Sequence, residues 1–369
     1  MIFSISDEYD NGQVISYYYI DFIHFKRRDI VDKMSSIVME IFNKYRSVIL
    51  ISSGIVSTGW LYNKFWVNRR LVSSNQMMIG KTILITGGNT GIGYETAKDL
   101  LKRGARVTIA CRNLEKGRQA VEKLRQESKC QEDNINLMEC DLSSLNSVRK
   151  FAKLFNEKED RLDILICNAG LGYSSAKITG DGFDNVIQSN YLSHFLLTNL
   201  LLNKLKKSDS SRIINVSSDL HQIAKSIDWS DVFVQKNCTG FMGTYPTSKL
   251  YQILSTYQMK MNYLKDENMN VFCLTPGFVS TSMKDPMEEK IGFLLSILYY
   301  PIFCIFKWIC AKTPQSGAQT TIYCAIEPNL EKSKDLYFQN CSVCQPSSLS
   351  TDPIAAQKLW TMSCEAVGI

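Results

Sequence analysis

The chain has 369 residues and a formal net charge of +6, which allows one large α/β domain or two smaller ones. Hydrophobic residues make up 45% and charged residues 21%, a balance that excludes a polytopic membrane protein and still provides a sizeable core. The positive charge is spread along the chain without a dense basic block, so nucleic-acid binding is not indicated.

The first 47 residues form an irregular N-terminal extension, and an apolar segment from Val48 to Tyr62 follows it. This segment is shorter than the roughly twenty residues that a spanning helix needs. Basic residues flank it on both sides, and Trp60 and Trp66 lie near one end, which is typical of an interfacial anchor or a short tilted span. We therefore predict that residues 48–70 are a hydrophobic membrane anchor, with a packed N-terminal helix as the alternative.

From residue 78 onwards, short β-branched runs alternate with amphipathic helical stretches. This alternation indicates a parallel sheet that is covered on both faces. We predict an α/β fold with a single doubly wound parallel-sheet (Rossmann) domain over residues 78–345 and a C-terminal tail over 346–369. The candidate strands are 82–86, 106–111, 135–139, 163–167, 212–217 and 270–274.

A second apolar run, Ile291 to Ile309, interrupts the end of this domain. Pro301 and Lys307 argue against a simple membrane span. The sequence leaves open whether this run covers the substrate, makes a second membrane contact, or does both.

The strongest local motif is TGGNTGIG, from Thr86 to Gly93, which follows the first predicted strand and begins a helix. Its glycines allow a tight turn, close approach of a phosphate and close packing of the helix on the sheet. The free N–H groups and the dipole at the helix N-terminus favour an anion. We predict that a dinucleotide cofactor is held here by Gly87, Asn89, Thr90, Gly91, Ile92 and Gly93.

The spacing G-x-x-x-G-x-G differs from the G-x-G-x-x-G of the general dinucleotide fold. With the motifs that follow it in order, the sequence resembles the short-chain dehydrogenases/reductases over about residues 78–369. Cys167 replaces the first Asn of the family's N-N-A-G. The further motifs are Asp141–Leu142, CNAG at 167–170, NVSS at 215–218, YPTSK at 245–249 and TPGFVST at 275–281.

The resemblance implies the remaining cofactor contacts. The pair after the third strand contacts adenine, and the P-G-x-x-x-T segment forms the loop beside the nicotinamide. The residues implied are Asp141, Leu142, Asn168, Ala169, Gly170, Tyr245, Lys249, Pro276, Gly277, Val279 and Thr281.

Tyr245 and Lys249 carry the predicted proton-transfer chemistry. They are four residues apart and share one face of a helix. An ammonium group beside a phenol favours the phenolate and is expected to lower the pKa of Tyr245, which makes the tyrosine a better acid/base. The resemblance implies that Lys249 also binds the nicotinamide ribose, that Ser218 rather than Ser217 orients the substrate oxygen, and that Asn190 holds a water linking Lys249 to solvent.

Two other sites are weighed from the residues. Ser218, Asp219 and His221 lie too close together on one segment to form a hydrolase triad, and the G-x-S-x-G elbow is absent from the sequence. Cys341 and Cys344 form a C-x-x-C, but a zinc site needs about four ligands and the three histidines are distant in sequence. We therefore predict no metal site, with a redox or metal-binding role for the cysteine pair as the alternative.

Cofactor choice is predicted from the end of the second strand, where NAD enzymes of this fold usually carry a carboxylate. Here the sequence has Cys111, Arg112 and Asn113, and the first carboxylate is Glu115. A guanidinium can pair with the 2′-phosphate of NADP. We predict NADP(H) with Arg112 as its ligand; the alternative is a surface arginine that pairs with Glu115.

Four segments resemble the retinol dehydrogenase branch: 110–113, 190–202, 312–325 and 359–369. Ser193 stands where that branch usually has Gly, and residues 1–33 have no counterpart there. The resemblance implies an NADP(H)-dependent oxidoreductase of lipid metabolism that interconverts a hydrophobic aldehyde or ketone and its alcohol. Retinal/retinol is favoured, with a sterol or fatty aldehyde, or a non-catalytic NADP-binding scaffold, as alternatives.

The same resemblance implies membrane association, at the endoplasmic reticulum in preference to the mitochondrion, and it allows a homodimer. The segment between the serine and tyrosine motifs is long in this branch. Apolar residues within it are predicted to border the substrate, namely Ile227, Trp229, Phe233 and Phe241.

Overall fold

The computed structural model describes residues 32–40, 43–46, 54, 57–69, 72–235, 243–264, 268–281 and 303–369. The chain divides into two compact units, Met1–Tyr62 and Asn63–Ile369. In the first unit, residues 32–40, 43–46 and 57–62 are helical. Residues 48–53, 55–56 and 70 of the predicted anchor lie outside the described residues, as do residues 291–302 of the second apolar run. Where the structure describes the chain, it contains no helix that is both long and apolar enough to cross a membrane.

The described part of the second unit is built on one sheet with the strand order β3-β2-β1-β4-β5-β6-β7-β8. Neighbouring strands are parallel, apart from the antiparallel β7–β8 hairpin. The order reverses between β1 and β4, and a cleft opens at such a point beyond the carboxyl ends of the strands. The strands are β1 (Thr82–Thr86), β2 (Arg106–Cys111), β3 (Ile135–Glu139), β4 (Ile164–Cys167), β5 (Ser211–Val216), β6 (Met269–Thr275), β7 (Tyr337–Gln339) and β8 (Ser342–Val343).

The predicted parallel sheet and its six strands are confirmed, and every strand end lies within one residue of its predicted position. Strands β7 and β8 were not predicted from the sequence. They have only three and two residues, too few for a hydrophobic pattern to distinguish them from a loop.

Helices cover both faces of the sheet. Residues 303–310 are also helical. The helices are α1 (Gly91–Lys102), α2 (Leu114–Ser128), α3 (Leu145–Lys158), α4 (Ser193–Leu205), α5 (Tyr245–Gln258), α6 (Pro314–Gly317), α7 (Gln319–Ile326) and α8 (Pro353–Val367). The shorter elements are π-helical turns at Asn63–Val67, Gln188–Leu192 and Met259–Tyr263, 3-10 turns at Glu132–Asn134, Asp219–Ile223, Pro328–Leu330 and Ser348–Thr351, and one α-helical turn at Asn185–Ile187.

Alternate residues of the central strands supply the two large cores, one on each face of the sheet. On β1, Leu84 packs into the core under α3, α4, α5 and α8, whereas Ile83 and Ile85 pack into the core under α1, α2 and α7. All three side chains are fully buried, and burial of one such side chain contributes about 1.5–3 kcal/mol to stability. A strand that is apolar on both faces can only lie in the middle of such a sandwich.

The C-terminal residues belong to the first of these cores. Leu359 and Trp360 of α8 are buried there, and Trp360 packs edge-on against Phe195 with ring centroids 4.8 Å apart. The hydroxyls of Ser363 and Tyr191 are 2.7 Å apart and hydrogen-bonded. Helix α8 therefore covers α4 and α5, and α5 carries the candidate catalytic residues Tyr245 and Lys249.

Candidate active site

The glycine loop between β1 and α1 has the shape that a phosphate cradle requires. Gly87 and Gly91 have positive φ angles of +68° and +57°, which side-chain-bearing residues rarely adopt. A Cβ atom on Gly93 would lie 2.4 Å from the carbonyl oxygen of Gly87, so only glycine fits there. Thr90, the N-cap residue, makes no side-chain cap to α1, and the first turn carries no acidic residue. The helix N-terminus therefore offers N–H groups to an anion without a competing carboxylate.

Thr86 and Asn168 fasten this loop to the end of β4. The Oγ1 atom of Thr86 accepts hydrogen bonds from the backbone N–H groups of Asn168, at 3.0 Å, and Ala169, at 3.1 Å. The Nδ2 group of Asn168 donates to the Thr86 carbonyl at 2.9 Å. Cys167 is fully buried, and burial raises the pKa of its thiol to about 12, so it packs as a small neutral side chain.

The segment from Pro276 to Thr281 lies opposite the glycine loop. Lys312 pairs with it through backbone hydrogen bonds to Phe278 and Ser280, at 2.8 and 2.9 Å. The Cγ2 atom of Thr281 is 3.5 Å from the position that a Cβ on Gly91 would occupy. Val279 packs on α6, where a Cβ on Gly317 would come within 2.7 Å of it. Gly277 turns the chain with a φ of +80°.

The predicted adenine contacts follow β3. The side chain of Asp141 accepts hydrogen bonds from the N–H and the hydroxyl of Ser143, at 3.0 and 2.8 Å. The carbonyl of Leu142 accepts from the hydroxyl of Ser193 at 2.6 Å. Ser193, which stands where the retinol dehydrogenase branch usually has glycine, is therefore used to hold this loop against α4.

Arg112 is exposed directly after β2, at the same edge of the sheet as the glycine loop. The carboxylate of Glu115 pairs with Arg118 at 3.2 Å and accepts from Gln119 at 3.2 Å. Asn113 is occupied as the N-cap of α2, where it accepts from the N–H of Lys116. The ion pair of Glu115 is thus made along its own helix and not with Arg112.

Three of the four predicted catalytic side chains, those of Ser218, Tyr245 and Lys249, converge at the end of β5; the fourth residue is Asn190. Tyr245 is the first residue of α5, and the hydroxyl of Ser218 lies close enough to its phenol to act on the pKa of Tyr245. The Nζ atom of Lys249 lies 5.6 Å from the centroid of the Tyr245 ring and donates to the carbonyl of Val216 at 2.8 Å. Ser217 points elsewhere, because its hydroxyl donates to the carbonyl of Lys249 at 2.9 Å. Of the two serines, Ser218 is the one beside the phenol.

Burial dominates the electrostatics of this group. It raises the pKa of Tyr245 to about 12, against which the neighbouring hydroxyl of Ser218 acts. It also lowers the pKa of Lys249 to about 8. The expectation that the ammonium lowers the pKa of Tyr245 is therefore wrong for the protein as it stands here. The half-buried phenol loses more by desolvation than it gains from a lysine whose Nζ points to Val216 and Gln252.

Asn190 is fully buried in the π-helical turn Gln188–Leu192 that precedes α4. Its side chain accepts from the N–H of Leu171 at 2.7 Å and donates to the Leu171 carbonyl at 2.9 Å, which holds the loop after CNAG. Its own carbonyl accepts from the side chains of His194, at 2.9 Å, and Gln252, at 2.8 Å. Gly170 lies beside it, since a Cβ there would be 3.3 Å from Asn190 Oδ1 and 3.5 Å from Lys249 Nζ.

Sequence reasoning did not single out His194 or Gln252, and it named Thr86 only as the first letter of its motif. Gln252 follows Lys249 by three residues, so helical periodicity was the signal that places both on one face of α5. No comparable signal exists for His194, because its partner Thr86 is 108 residues away.

His221 is not oriented as a catalytic base. Its Nδ1 donates to the backbone carbonyl of Ser218 at 2.7 Å, and its Nε2 accepts from the N–H of Ser347 at 3.0 Å. Both ring nitrogens are thus committed to the backbone, which agrees with the rejection of a hydrolase triad.

In the described part of the chain, the structure contains no metal-binding cluster and no disulfide between Cys341 and Cys344. Cys341 and Cys344 are both free thiols. No group of three His, Cys, Asp or Glu side chains in the described ranges is arranged to hold a metal ion.

The insertion before Tyr245 contributes to packing. Phe233 is buried in the core and contacts Phe183 and Tyr251 edge-on. Trp229 packs against the same core, with the Lys358 ammonium 4.6 Å from its ring centroid. Phe241 lies outside the described residues.

Comparison with known proteins identifies the family. The sequence profile described as short chain dehydrogenase matches residues 81–230. Mouse retinol dehydrogenase 12 is 38% identical over 298 residues, which cover 80% of this chain and 89% of that one. Mouse retinol dehydrogenase 13 is 36% identical over 316 residues, 86% of this chain and 92% of that one.

Solved structures share the fold. An uncharacterised protein from Mycobacterium paratuberculosis superposes with a TM-score of 0.60 at 26% identity, covering 81% of this chain and 98% of that one. Salutaridine reductase from Papaver somniferum superposes with a TM-score of 0.51 at 23% identity, covering 70% of this chain and 99% of that one. The chain therefore belongs to the short-chain dehydrogenase/reductase family of oxidoreductases, within its retinol dehydrogenase branch.

Proposed function

We propose that the protein is an NADP(H)-dependent reductase of a hydrophobic aldehyde or ketone, with retinal/retinol as the favoured pair. The observation that carries the proposal is the convergence of Ser218, Tyr245 and Lys249 beside the glycine loop, at the carboxyl ends of the parallel strands. A cofactor held on that loop and a carbonyl held by Ser218 and Tyr245 would share one cleft. The substrate class is taken from the names of the retinol dehydrogenases that this chain resembles.

The residues of the cradle fit a dinucleotide, since Gly93 has no room for a Cβ and the α1 N-terminus carries no carboxylate. When bound, NADPH supplies the hydride. The pyrophosphate would rest on the glycine loop, the adenine against Asp141 and Leu142, and the nicotinamide end near Lys249 and Thr281. The proposed cofactor residues are Gly87, Asn89, Thr90, Gly91, Ile92, Gly93, Arg112, Asp141, Leu142, Asn168, Ala169, Gly170, Tyr245, Lys249, Pro276, Gly277, Val279 and Thr281.

The protein's own residues would then place and donate a proton. Ser218 donates a hydrogen bond to the substrate oxygen and keeps it beside the Oη atom of Tyr245. Burial raises the pKa of Tyr245 to about 12, which makes the phenol a weaker acid but keeps its proton in place at neutral pH. The phenol can still give that proton to the substrate oxygen, because the alkoxide that forms there is a stronger base than a phenolate. Two N–H groups of Lys249 are used by Val216 and Gln252, which leaves one for the cofactor ribose.

The proposed function is tested with purified protein and NADPH against a panel of retinoid, sterol and aliphatic carbonyls. We expect retinal to have the highest kcat/KM. A sterol or fatty aldehyde that is turned over faster would keep the reaction and replace the substrate. Tight NADPH binding without turnover of any carbonyl would instead support the non-catalytic scaffold.

Cofactor preference is expected to depend on Arg112. A charge-assisted pair with the 2′-phosphate contributes roughly 1.5–3 kcal/mol, so kcat/KM with NADPH should exceed that with NADH by about ten- to a hundredfold or more. Arg112→Ala should raise the KM for NADPH and leave NADH use little changed. Arg118→Ala is the matched control, because Arg118 is an exposed arginine nearby that pairs with Glu115. Equal kcat/KM for both cofactors in the unaltered protein contradicts the NADP assignment.

We also propose that the protein binds to a membrane, that of the endoplasmic reticulum in preference to the mitochondrion. Support comes from an apolar surface patch of five aromatic residues and one isoleucine, which we define as Phe65, Trp66, Phe278, Ile305, Phe306 and Trp308. All six side chains are at least 44% exposed, and Trp66 is 69% exposed. Asn63 joins its two halves by donating to the carbonyls of Ile309 and Ala311, at 2.8 and 3.1 Å. An exposed cluster of aromatic side chains with Lys64 and Lys307 beside it suits an interfacial contact with anionic lipid.

The membrane proposal predicts two results. Full-length protein should sediment with membranes and resist a high-salt wash, because salt does not screen hydrophobic insertion.

The double variant Phe306→Ser, Trp308→Ser should raise the KM for retinal held in vesicles and leave the KM for a soluble short-chain aldehyde unchanged. Ile354→Ser is the control, because Ile354 is 81% exposed and lies outside the patch. Full-length protein that remains wholly soluble, or equal KM changes for both substrates, contradicts the proposal.

A further inference from the structure

A buried glutamine bridges the candidate catalytic lysine and the carbonyl of Asn190. Gln252 is 2% exposed on the face of α5 that carries Lys249. Its Oε1 atom accepts from Lys249 Nζ at 3.0 Å, and its Nε2 group donates to the Asn190 carbonyl at 2.8 Å. Chemistry fixes this orientation of the amide, because an ammonium only donates and a carbonyl only accepts. A buried amide that satisfies both partners is rigidly held, since either bond is costly to break without water.

The bridge continues to the cofactor loop. The Asn190 carbonyl also accepts from His194 Nδ1 at 2.9 Å, so that nitrogen carries the proton and Nε2 is the acceptor. His194 Nε2 is 2.8 Å from Thr86 Oγ1, which therefore donates to it. The same Thr86 oxygen accepts from the N–H groups of Asn168 and Ala169. A continuous chain of hydrogen bonds thus runs from Lys249 through Gln252, Asn190 and His194 to the residue that fastens the glycine loop.

Two members of this series of hydrogen bonds, His194 and Gln252, line a small cleft between α4 and α5. Asn199, Asn215 and Ser255 lie partly exposed along it. Gln252 therefore lies between Lys249 and the cleft. Its amide oxygen accepts a hydrogen bond from the ammonium, which an apolar side chain at this position could not do. The residue at position 252 therefore affects both the orientation of the Lys249 ammonium and the stability of its charged form.

We infer that Gln252 is a positioning residue of the active site, which holds the Lys249 ammonium in place between Val216 and Asn190 and favours its charged form. The inference rests on the proposed reductase function, in which Lys249 must be charged. Gln252 touches neither substrate nor cofactor in this arrangement and acts through Lys249.

The groups that surround Lys249 allow its titration to be isolated. They are Tyr245 on α5, His194 on α4, Cys167 on β4 and Cys273 on β6. Burial raises the pKa of both thiols to about 12 and lowers that of His194 to about 4, so these groups stay neutral from pH 6 to 10. Tyr245, with a pKa of about 12, also keeps its proton. The loss of reductase activity at basic pH should therefore report Lys249, whose pKa is about 8.

The test compares Gln252→Leu and Gln252→Glu by the pH profile of kcat for the best carbonyl of the panel. Leucine removes the acceptor, so the basic limb should move to lower pH by about one unit. With the pKa of Lys249 at about 8 in the unaltered protein, this shift alone should lower kcat at pH 7 by about twofold and kcat at pH 9 by about tenfold. Glutamate places a carboxylate against the ammonium, so the limb should move to higher pH. Ser255→Ala, on the same helix and cleft, should keep the unaltered profile. A loss of packing alone would lower kcat in both variants without moving the limb in opposite directions.

A second readout does not need turnover. Because the pKa of Lys249 is lower in the folded protein than in the unfolded chain, the free energy of unfolding rises with pH between the two values. This rise should begin at lower pH in Gln252→Leu and at higher pH in Gln252→Glu. If the leucine variant does not fold, Gln252→Met serves as the apolar variant of similar length. Basic limbs and stability profiles that coincide in all variants overturn the inference, whereas absence of turnover in the unaltered protein alone counts against the proposed function.

Discussion

Replacement of Tyr245 with phenylalanine should lower kcat for carbonyl reduction by about 10²–10⁴-fold, because general acid catalysis is worth that much. The variant removes only the Oη atom, which lies beside the hydroxyl of Ser218 and holds the proton at neutral pH. The ring remains the first residue of α5 and keeps its place beside Lys249, so the helix and the glycine loop have no reason to move. NADPH affinity should therefore stay close to that of the unaltered protein.

The measurement is single-turnover reduction of retinal, together with NADPH binding by quenching of protein fluorescence. Tyr257→Phe is the matched control, since Tyr257 is a half-buried tyrosine on the same helix that packs against the core. A Tyr245→Phe protein that binds NADPH normally and keeps more than about a tenth of kcat would show that another group donates the proton.

Substitution of Gly93 with alanine should weaken NADPH binding by about ten- to a hundredfold and lower the free energy of unfolding by about 1–3 kcal/mol, a usual cost of overpacking. The added Cβ would lie 2.4 Å from the Gly87 carbonyl oxygen and 2.5 Å from Asn168 Nδ2. Neither atom can yield alone, because Asn168 Nδ2 is bonded to the Thr86 carbonyl and Gly87 belongs to the turn itself. Within a helix, alanine is otherwise favoured over glycine by about 1 kcal/mol, so any loss must come from the collision.

Gly180→Ala is the control for this substitution. A Cβ on Gly180 would meet no atom within 4 Å, and its φ lies outside the left-handed region. We expect its NADPH affinity and unfolding curve to match those of the unaltered protein. A Gly93→Ala protein with unchanged NADPH affinity would mean that the loop has more room than the structure gives it, and that the cofactor does not rest where we place it.

Some features of this protein follow from short stretches of sequence. The first three strands were predicted with their observed ends, because runs such as TILIT carry apolar β-branched residues for both faces of a buried parallel strand. The glycine loop was predicted for a similar reason. Its positive φ angles and the close approach at Gly93 require glycine at these positions, so the glycine spacing in the sequence predicts the shape of the loop.

Other features depend on distant residues and appeared only in the tertiary structure. The pKa of Tyr245 was expected to fall because of Lys249, four residues away, but burial by the surrounding fold is the larger effect and raises it. The hairpin of β7 and β8 is too short to be recognised from its own residues and exists because β6 offers an edge to pair with.

The series of hydrogen bonds behind the candidate catalytic residue Lys249 shows the difference most clearly. Gln252 and Asn190 are 62 positions apart in sequence, and His194 and Thr86 are 108 apart. A histidine or a glutamine on an apolar helix face can have many different hydrogen-bond partners, and no local sequence pattern shows which partner it has. The sequence by itself predicted the parallel-sheet fold, the glycine loop and the candidate set Ser218, Tyr245 and Lys249, because strands, glycine loop, serine and Y-x-x-x-K are each visible as a short local motif. Only the tertiary structure decided what holds Lys249, because a buried polar group must be satisfied by whichever partner the packing of α4 against α5 brings to it.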